Sequence, residues 1–301
     1  MSHDHHHHHH HDDVANIKVA FFLNLAFTLI EIVGGVLTNS VAILSDAVHD
    51  LGDSLSLGLS WWFGNKAKAQ PTPRFSYGPK RLSLLAALIN ALVLITGSVL
   101  VLSEAIPRLW APQMPHAQGM IWLAILGIAA NGAAVFRLKG AKTQNAKVVS
   151  LHLLEDVLGW VMVLAVAIAL LFVDWPILDP LLSVCYMLFI LYNVIKNLWN
   201  TLLIFLQATP DDLDLKVIEE ELRQVNGVAD IHQLHAWSFD GESHVLTAHV
   251  VADRQLSPDN YAALKVALAE ICQRHPISHT TFEIEYVDES CRMAHRHEHS
   301  H

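Results

Sequence analysis

Six stretches of this chain are apolar for close to twenty residues or more, and little else in it is. They run over roughly 16–38, 41–64, 82–104, 118–137, 146–173 and 177–205. A helix needs about 20 predominantly apolar residues to cross a bilayer. Helices are required there because hydrocarbon offers backbone N–H and C=O groups no partner outside the segment. Six membrane-spanning helices are therefore predicted. Thr38-Asn39-Ser40 separates the first two and Asp174-Trp175-Pro176 the last two, so each pair is expected to run antiparallel. After Gln207 the pattern changes. Residues Asp211 to Val225 have the period of an amphipathic helix, with Thr209-Pro210 before it and Gly227 after it. Ile231 to Phe239 and His244 to Ala252 have the character of strands around the turn Asp240-Gly241-Glu242. Tyr261 to Arg274 predicts a second helix and Thr280 to Val287 a last strand. The order αββαβ fits a small ferredoxin-like α+β sandwich. The expected organisation is a tail (1–15), a six-helix transmembrane domain (16–207), a cytosolic ferredoxin-like domain (208–290) and a second tail (291–301).

Composition agrees with the membrane assignment. Of the 301 residues 52% are hydrophobic and only 16% charged, against roughly 25% charged in soluble domains. The formal charge of −10 comes mostly from the N-terminal tail and the last third. No basic patch interleaved with aromatics points to nucleic acid. Cys185, Cys272 and Cys291 are scattered and form no paired spacing, which fits a cytosol-facing soluble part without disulfides. No cleavable signal peptide is expected from a start rich in His and Asp. That run, His3 and His5 to His11, is matched by His295, His297, His299 and His301 at the other end. Both a purification tag and a native metal-gathering tail fit it. Basic residues give the orientation. Lys66, Lys68, Arg74, Lys80 and Arg81 follow the second span, and Arg137, Lys139, Lys142 and Lys147 the fourth, whereas the opposite side has only Arg108. The positive-inside rule then puts both termini in the cytoplasm.

The chemistry lies in the second and fifth spans. The second holds Ser45-Asp46-Ala47-Val48-His49-Asp50-Leu51-Gly52-Asp53, and the fifth holds Leu151-His152-Leu153-Leu154-Glu155-Asp156. In each, His and Asp are four residues apart, one turn along a single helix face. Two such helices facing each other would bring His49, Asp53, His152 and Asp156 to one point, an N2O2 set of the kind zinc accepts. Two aspartates, two neutral imidazoles and a divalent cation sum to zero charge, which makes the set affordable at membrane depth. Imidazoles titrate near neutral pH, so metal binding is expected to release protons. Asp46, one turn before His49, is a candidate outer partner or part of a water path. Asp50, about 100° around the helix, is expected nearer the cytosolic vestibule. Glu31, Asn24, Asn90 and Asn131 are expected as packing hydrogen bonds, and Glu155 points off the His152/Asp156 face. A membrane metalloenzyme would need an open coordination position, which four protein ligands do not leave. A metal sensor that does not transport is not separated by sequence from a transporter.

These stretches resemble the cation diffusion facilitator family of metal/proton antiporters. The likeness covers nearly the whole chain outside the tails. It is carried by Asn39 to Asp53, by Phe75-Ser-Tyr-Gly-Pro-Lys-Arg-Leu-Ser-Leu-Leu-Ala-Ala-Leu-Ile-Asn90, by His152 to Asp156 and by Ile231-His-Gln-Leu-His-Ala-Trp237. The resemblance implies six transmembrane helices followed by a cytosolic ferredoxin-like domain. It implies a homodimer in the bacterial inner membrane that exports divalent metal by alternating access, with protons as counter-substrate. It also implies that His49, Asp53, His152 and Asp156 form the transport site. A His at the first position marks the zinc-preferring version, with Cd2+ or Co2+ as further substrates. Bacterial relatives often carry a second site between the second and third spans. Here Ala69 to Pro79 contains no His, Asp, Glu or Cys, so that site is expected to be absent. By the same resemblance Arg81 pairs with Asp211, and His232, His249 and Glu285 bind regulatory zinc, with His235 and His279 as alternatives.

Overall fold

The computed structural model describes residues 9–67, 70–138, 144–253 and 256–291. The tail ends at 1–8 and 292–301 lie outside them, as do Lys68, Lys139 and Lys142. Two compact units are formed. One comprises residues up to 69 and 85–198; the other comprises 70–84 and 199–301.

The first unit is helical. The helices are α1 (His9–Thr38), α2 (Val41–Ala67), α3 (Leu82–Trp110), α4 (Ala117–Leu138), α5 (Gln144–Phe172) and α6 (Leu178–Phe205), with residues 82–84 of α3 and 199–205 of α6 grouped in the second unit. All but α2 are long and apolar enough to cross a membrane. At 27 residues α2 has the length, but Asp46, His49, Asp50 and Asp53 fall within it. Large apolar side chains face outward along the other spans, among them Phe22, Leu37, Phe136 and Phe172, all more than half exposed. Such a surface is stable against lipid and unusual against water. Inside, α1 lies along α2 and α4 along α5. Ala42 and Ile43 of α2, Met120 and Ala124 of α4, and Trp160, Val163 and Ala167 of α5 share one buried cluster. Ala91 and Leu94 of α3 meet Met187, Ile190 and Val194 of α6 in another. Two helix ends differ from the hydropathy pattern. α1 starts within the His run, and α3 continues to Trp110. The extension of α3 is held by Arg108, which ion-pairs with Glu104 at 2.7 Å and donates to the carbonyl of Asn39 at 3.1 Å.

The second unit contains α7 (Leu215–Arg223), β1 (Val228–Ser238), β2 (His244–Ala252), α8 (Pro258–Gln273) and β3 (Ile277–Tyr286). The sheet order is β1-β2-β3, with β1 and β2 antiparallel and β2 and β3 parallel. The parallel pair requires a crossover, which α8 supplies. α7 starts three to four residues later than its amphipathic period suggests. Asp214 caps it, accepting from the backbone of Lys216 and Val217, so the preceding residues form a turn. The β1–β2 turn is an Asx type: Asp240 Oδ1 accepts from Glu242 N at 3.1 Å and Ser243 N at 2.7 Å, with Gly241 at φ 97°. Ile218, Leu222, Leu246, Val250, Leu264 and Leu268 form the core between helices and sheet. Leu246 is fully buried there. Leu246→Ala is expected to cost this unit about 2–5 kcal/mol, read as faster amide hydrogen exchange in β1–β3 of the intact protein with α1–α6 unchanged.

Candidate metal centres

The four membrane donors converge. α2 and α5 approach each other over a short stretch, and His49, Asp53, His152 and Asp156 each turn a ligand atom into it, all within 4.8 Å of one another. His49 Nε2 lies 3.7 Å from Asp53 Oδ2 and 3.8 Å from Asp156 Oδ1. His152 Nε2 lies 2.9 Å from Asp53 Oδ2 and 4.0 Å from Asp156 Oδ2. A cation bonded at 2.0–2.2 Å with tetrahedral angles sets neighbouring donors about 3.4 Å apart, and these distances bracket that value. The donors are also short of other partners: His49 Nε2 and Asp156 Oδ1 are buried without a hydrogen bond. Orphaned atoms of this kind are rare in folded chains, and a cation among them would satisfy both.

α6 holds α2 in place, a role the sequence reading did not assign to it. The Asp179 carboxylate, 1% exposed, accepts from Ser40 Oγ at 2.5 Å, Val41 N at 2.8 Å and Ala42 N at 3.4 Å. It thus caps the start of α2 from another helix, where unpaired N–H groups and the positive end of the dipole favour an anion. One turn on, Ser183 pairs with Ser45 at 2.5 Å. Further along, Tyr186 sets its ring edge-on to His49, 6.0 Å between centroids. On the other side α3 comes close through two small residues. A Cβ on Gly52 would meet Leu94 at 2.4 Å, and one on Gly97 would meet Val48 at 2.7 Å. Glycine at such positions lets membrane helices pack closely.

The neighbouring acids sort by depth. Asp46 and Asp50 are 3% and 5% exposed and Glu31 is fully buried. Asp46 stays outside the donor set. Asp50 is enclosed against α1, where its carbonyl accepts from Asn24 Nδ2 at 3.1 Å. The 100° rotation that takes Asp50 off the ligand face turns it toward α1, which packs along α2. Glu155 is exposed, away from the donor set.

A second convergence lies on the sheet. His232 and His249 are directly opposite in the β1–β2 ladder, and Glu285 on β3 stands diagonal to His249. His249 Nδ1 donates to Glu285 Oε1 at 2.6 Å. His232 Nε2 is 3.2 Å from Glu285 Oε2 but buried without a hydrogen bond. The sequence reading missed a fourth member, Cys291, whose ligand atom completes this group. Its only signal is a position six residues past Glu285, beyond the end of β3. The two alternatives lie elsewhere: His235 pairs with Gln233 at 3.1 Å, and His279 packs edge-on against Tyr77. The Arg81–Asp211 ion pair does not form among the described residues. The loop before α3 instead meets this domain through neighbours of Arg81. Lys80 Nζ donates to Ser243 Oγ at 3.3 Å and lies over the Phe239 ring, against which Tyr77 also packs. Lys80 takes the docking role because the β1–β2 turn presents Phe239 and Ser243 to it.

Membrane-length helices around a His/Asp cluster, followed by a compact αββαβ domain, define a polytopic membrane protein built to handle cations. Comparison with known proteins gives the family. Residues 17–206 match the cation efflux transmembrane domain, and 210–287 match the cytoplasmic domain of cation efflux proteins. The chain belongs to this family, the cation diffusion facilitators. It is 32% identical over 295 residues to the cadmium, cobalt and zinc/H(+)-K(+) antiporter of Bacillus subtilis, covering 95% of this chain and 92% of that one. It is 33% identical to the metal cation efflux system protein CzcD of Cupriavidus metallidurans (94% and 89% covered). It is 30% identical to the zinc transporter ZitB of Escherichia coli (95% and 92% covered).

The cap on α2 yields an expected outcome. Asp179→Ala leaves Ser40 and two buried N–H groups unanswered and should cost about 1–3 kcal/mol. Thermal melting in detergent should show a lower midpoint for Asp179→Ala than for Asp179→Asn, which keeps a carbonyl acceptor.

Proposed function

We propose that this chain exports zinc from the cytosol in exchange for external protons, by alternating access in a homodimer of the bacterial inner membrane with both termini cytoplasmic. One observation carries the reading: two imidazoles and two carboxylates meet between α2 and α5 with donor spacing suited to a tetrahedral cation. Zinc fits that set in charge and in donor type. Zinc is here the substrate, so its ligands must also release it. Protons do that by competing for the same nitrogen and oxygen atoms, since metal binding requires neutral imidazole and ionised carboxylate. The relatives named for zinc, cadmium and cobalt, one of them as a proton-coupled antiporter, support the substrate class and the exchange. Cd2+ and Co2+ are the further substrates.

His232, His249 and Glu285 are assigned to a regulatory zinc ion in the cytosolic domain. The transmembrane domain is assigned to 16–207 and the cytosolic domain to 208–290, with tails at 1–15 and 291–301.

Zinc flux into proteoliposomes under an imposed pH gradient tests the reading. Wild type should move zinc, and collapsing the gradient should slow it. Asp53→Ala and Asp156→Ala should each abolish transport while the protein still folds, because each removes one of the two neutralising charges. Either variant transporting at the normal rate would refute the ligand assignment. Replacing His49→Asp should broaden the accepted metals toward Cd2+, measured as the ratio of cadmium to zinc flux, and an unchanged ratio would count against His49 as a ligand.

A further inference from the structure

The sulfur of Cys291 joins the three donors gathered on the sheet. Its Sγ lies 3.5 Å from His249 Nδ1, about the separation that Zn–S and Zn–N bonds of 2.3 and 2.0–2.1 Å produce at a tetrahedral centre. The donors of His232, His249, Glu285 and Cys291 all fall within 4.8 Å of one another. We propose that Cys291 is the thiolate ligand of a closed four-coordinate zinc site in this domain, chemically distinct from the sulfur-free site in the membrane. The proposal rests on the reading of His232, His249 and Glu285 as metal ligands.

Three further features fit. Glu283 Oε2 faces the outer nitrogen of His249 at 3.6 Å, which turns Nδ1 toward the cluster; an acid behind a ligating imidazole fixes its orientation. Gln233, directly after His232, has φ 51°, and the β1–β2 register shifts just beyond it. Such an irregularity re-aims side chains at sites. The charges also close: one carboxylate, one thiolate and two neutral imidazoles offset a divalent cation. The step balances, since the Cys291 thiol gives up its proton to solvent as the S–Zn bond forms.

The other two thiols are poor candidates. Cys272 is 1% exposed in the apolar core, and burial pushes its thiol up to about 11. Cys185 lies on α6, outside this domain's sheet. A zinc ion held by these four donors would tie β1, β2 and β3 together. It would also fasten the segment after β3 to the sheet. A sulfur donor shifts preference toward soft cations, so this site should favour Cd2+ over the N2O2 set.

Cobalt is the probe. Full-length protein in detergent, loaded with Co2+, should show a sulfur-to-cobalt charge-transfer band in the near ultraviolet. No all-His/Asp site can produce that band, so neither the membrane site nor the His-rich termini obscure it. Cys291→Ser should abolish it, and the Cys185→Ala/Cys272→Ala double variant should keep it. Loss in His249→Ala as well would tie the sulfur to this cluster. A wild-type spectrum without the band, or a band that survives Cys291→Ser, overturns the proposal. Zinc flux separates the two readings. Cys291→Ser should retain transport that is lost with Asp156→Ala, so the thiolate can fail while the exporter stands, and the reverse.

Discussion

Two carboxylates packed against two imidazoles between membrane-length helices are costly unless a cation neutralises them. Born costs for burying a charge run to several kcal/mol per ion even after relaxation. A divalent ion with neutral histidines brings the sum to zero. The surrounding architecture serves that cancellation. Asp179 and Ser183 of α6 hold the first turns of α2, Gly52 and Gly97 let α3 come close, and Tyr186 buttresses His49. Each fixes a ligand-bearing helix through contacts that carry no ligand themselves. The buried acids Glu31, Asp46 and Asp50 stand around this set without joining it.

The C-terminal domain solves a related problem in a different medium. Its donors differ, with one carboxylate and one sulfur beside two imidazoles. They are gathered by strand register, with His232 opposite His249 and Glu285 one diagonal step away. The loop 70–84 belongs to the same compact unit, clasped through Tyr77 and Lys80.

How much was legible in the sequence depends on the range of the interaction. His-x-x-x-Asp twice, in apolar spans, was readable because helical spacing is local and ionisable residues there stand out. The six spans and the αββαβ order were readable for the same reason. α2 shows the tension: the residues that make it functional remove it from the most apolar helices, and only length and context mark it as a span. Contacts between elements distant in the chain were harder. The Asp179 cap joins residues 138 apart and has no local signature. Cys291 follows a strand end, and nothing before the fold shows the chain turning back to the sheet. Arg81 was expected to carry the loop contact, yet its neighbour Lys80 makes it, because one residue of rotation decides which side chain faces the domain. For Asp50 the angle on α2 could be read, but not that α1 covers it.

The most direct test is zinc-edge X-ray absorption on a variant that leaves the membrane site alone. It would carry His232→Ala, His249→Ala and Cys291→Ser and lack residues 1–8 and 292–301. One bound zinc with four nitrogen or oxygen neighbours at about 2.0–2.2 Å, two of them imidazoles, is the predicted result. A sulfur neighbour, a single imidazole, or no zinc bound at all would contradict a cation held by His49, Asp53, His152 and Asp156.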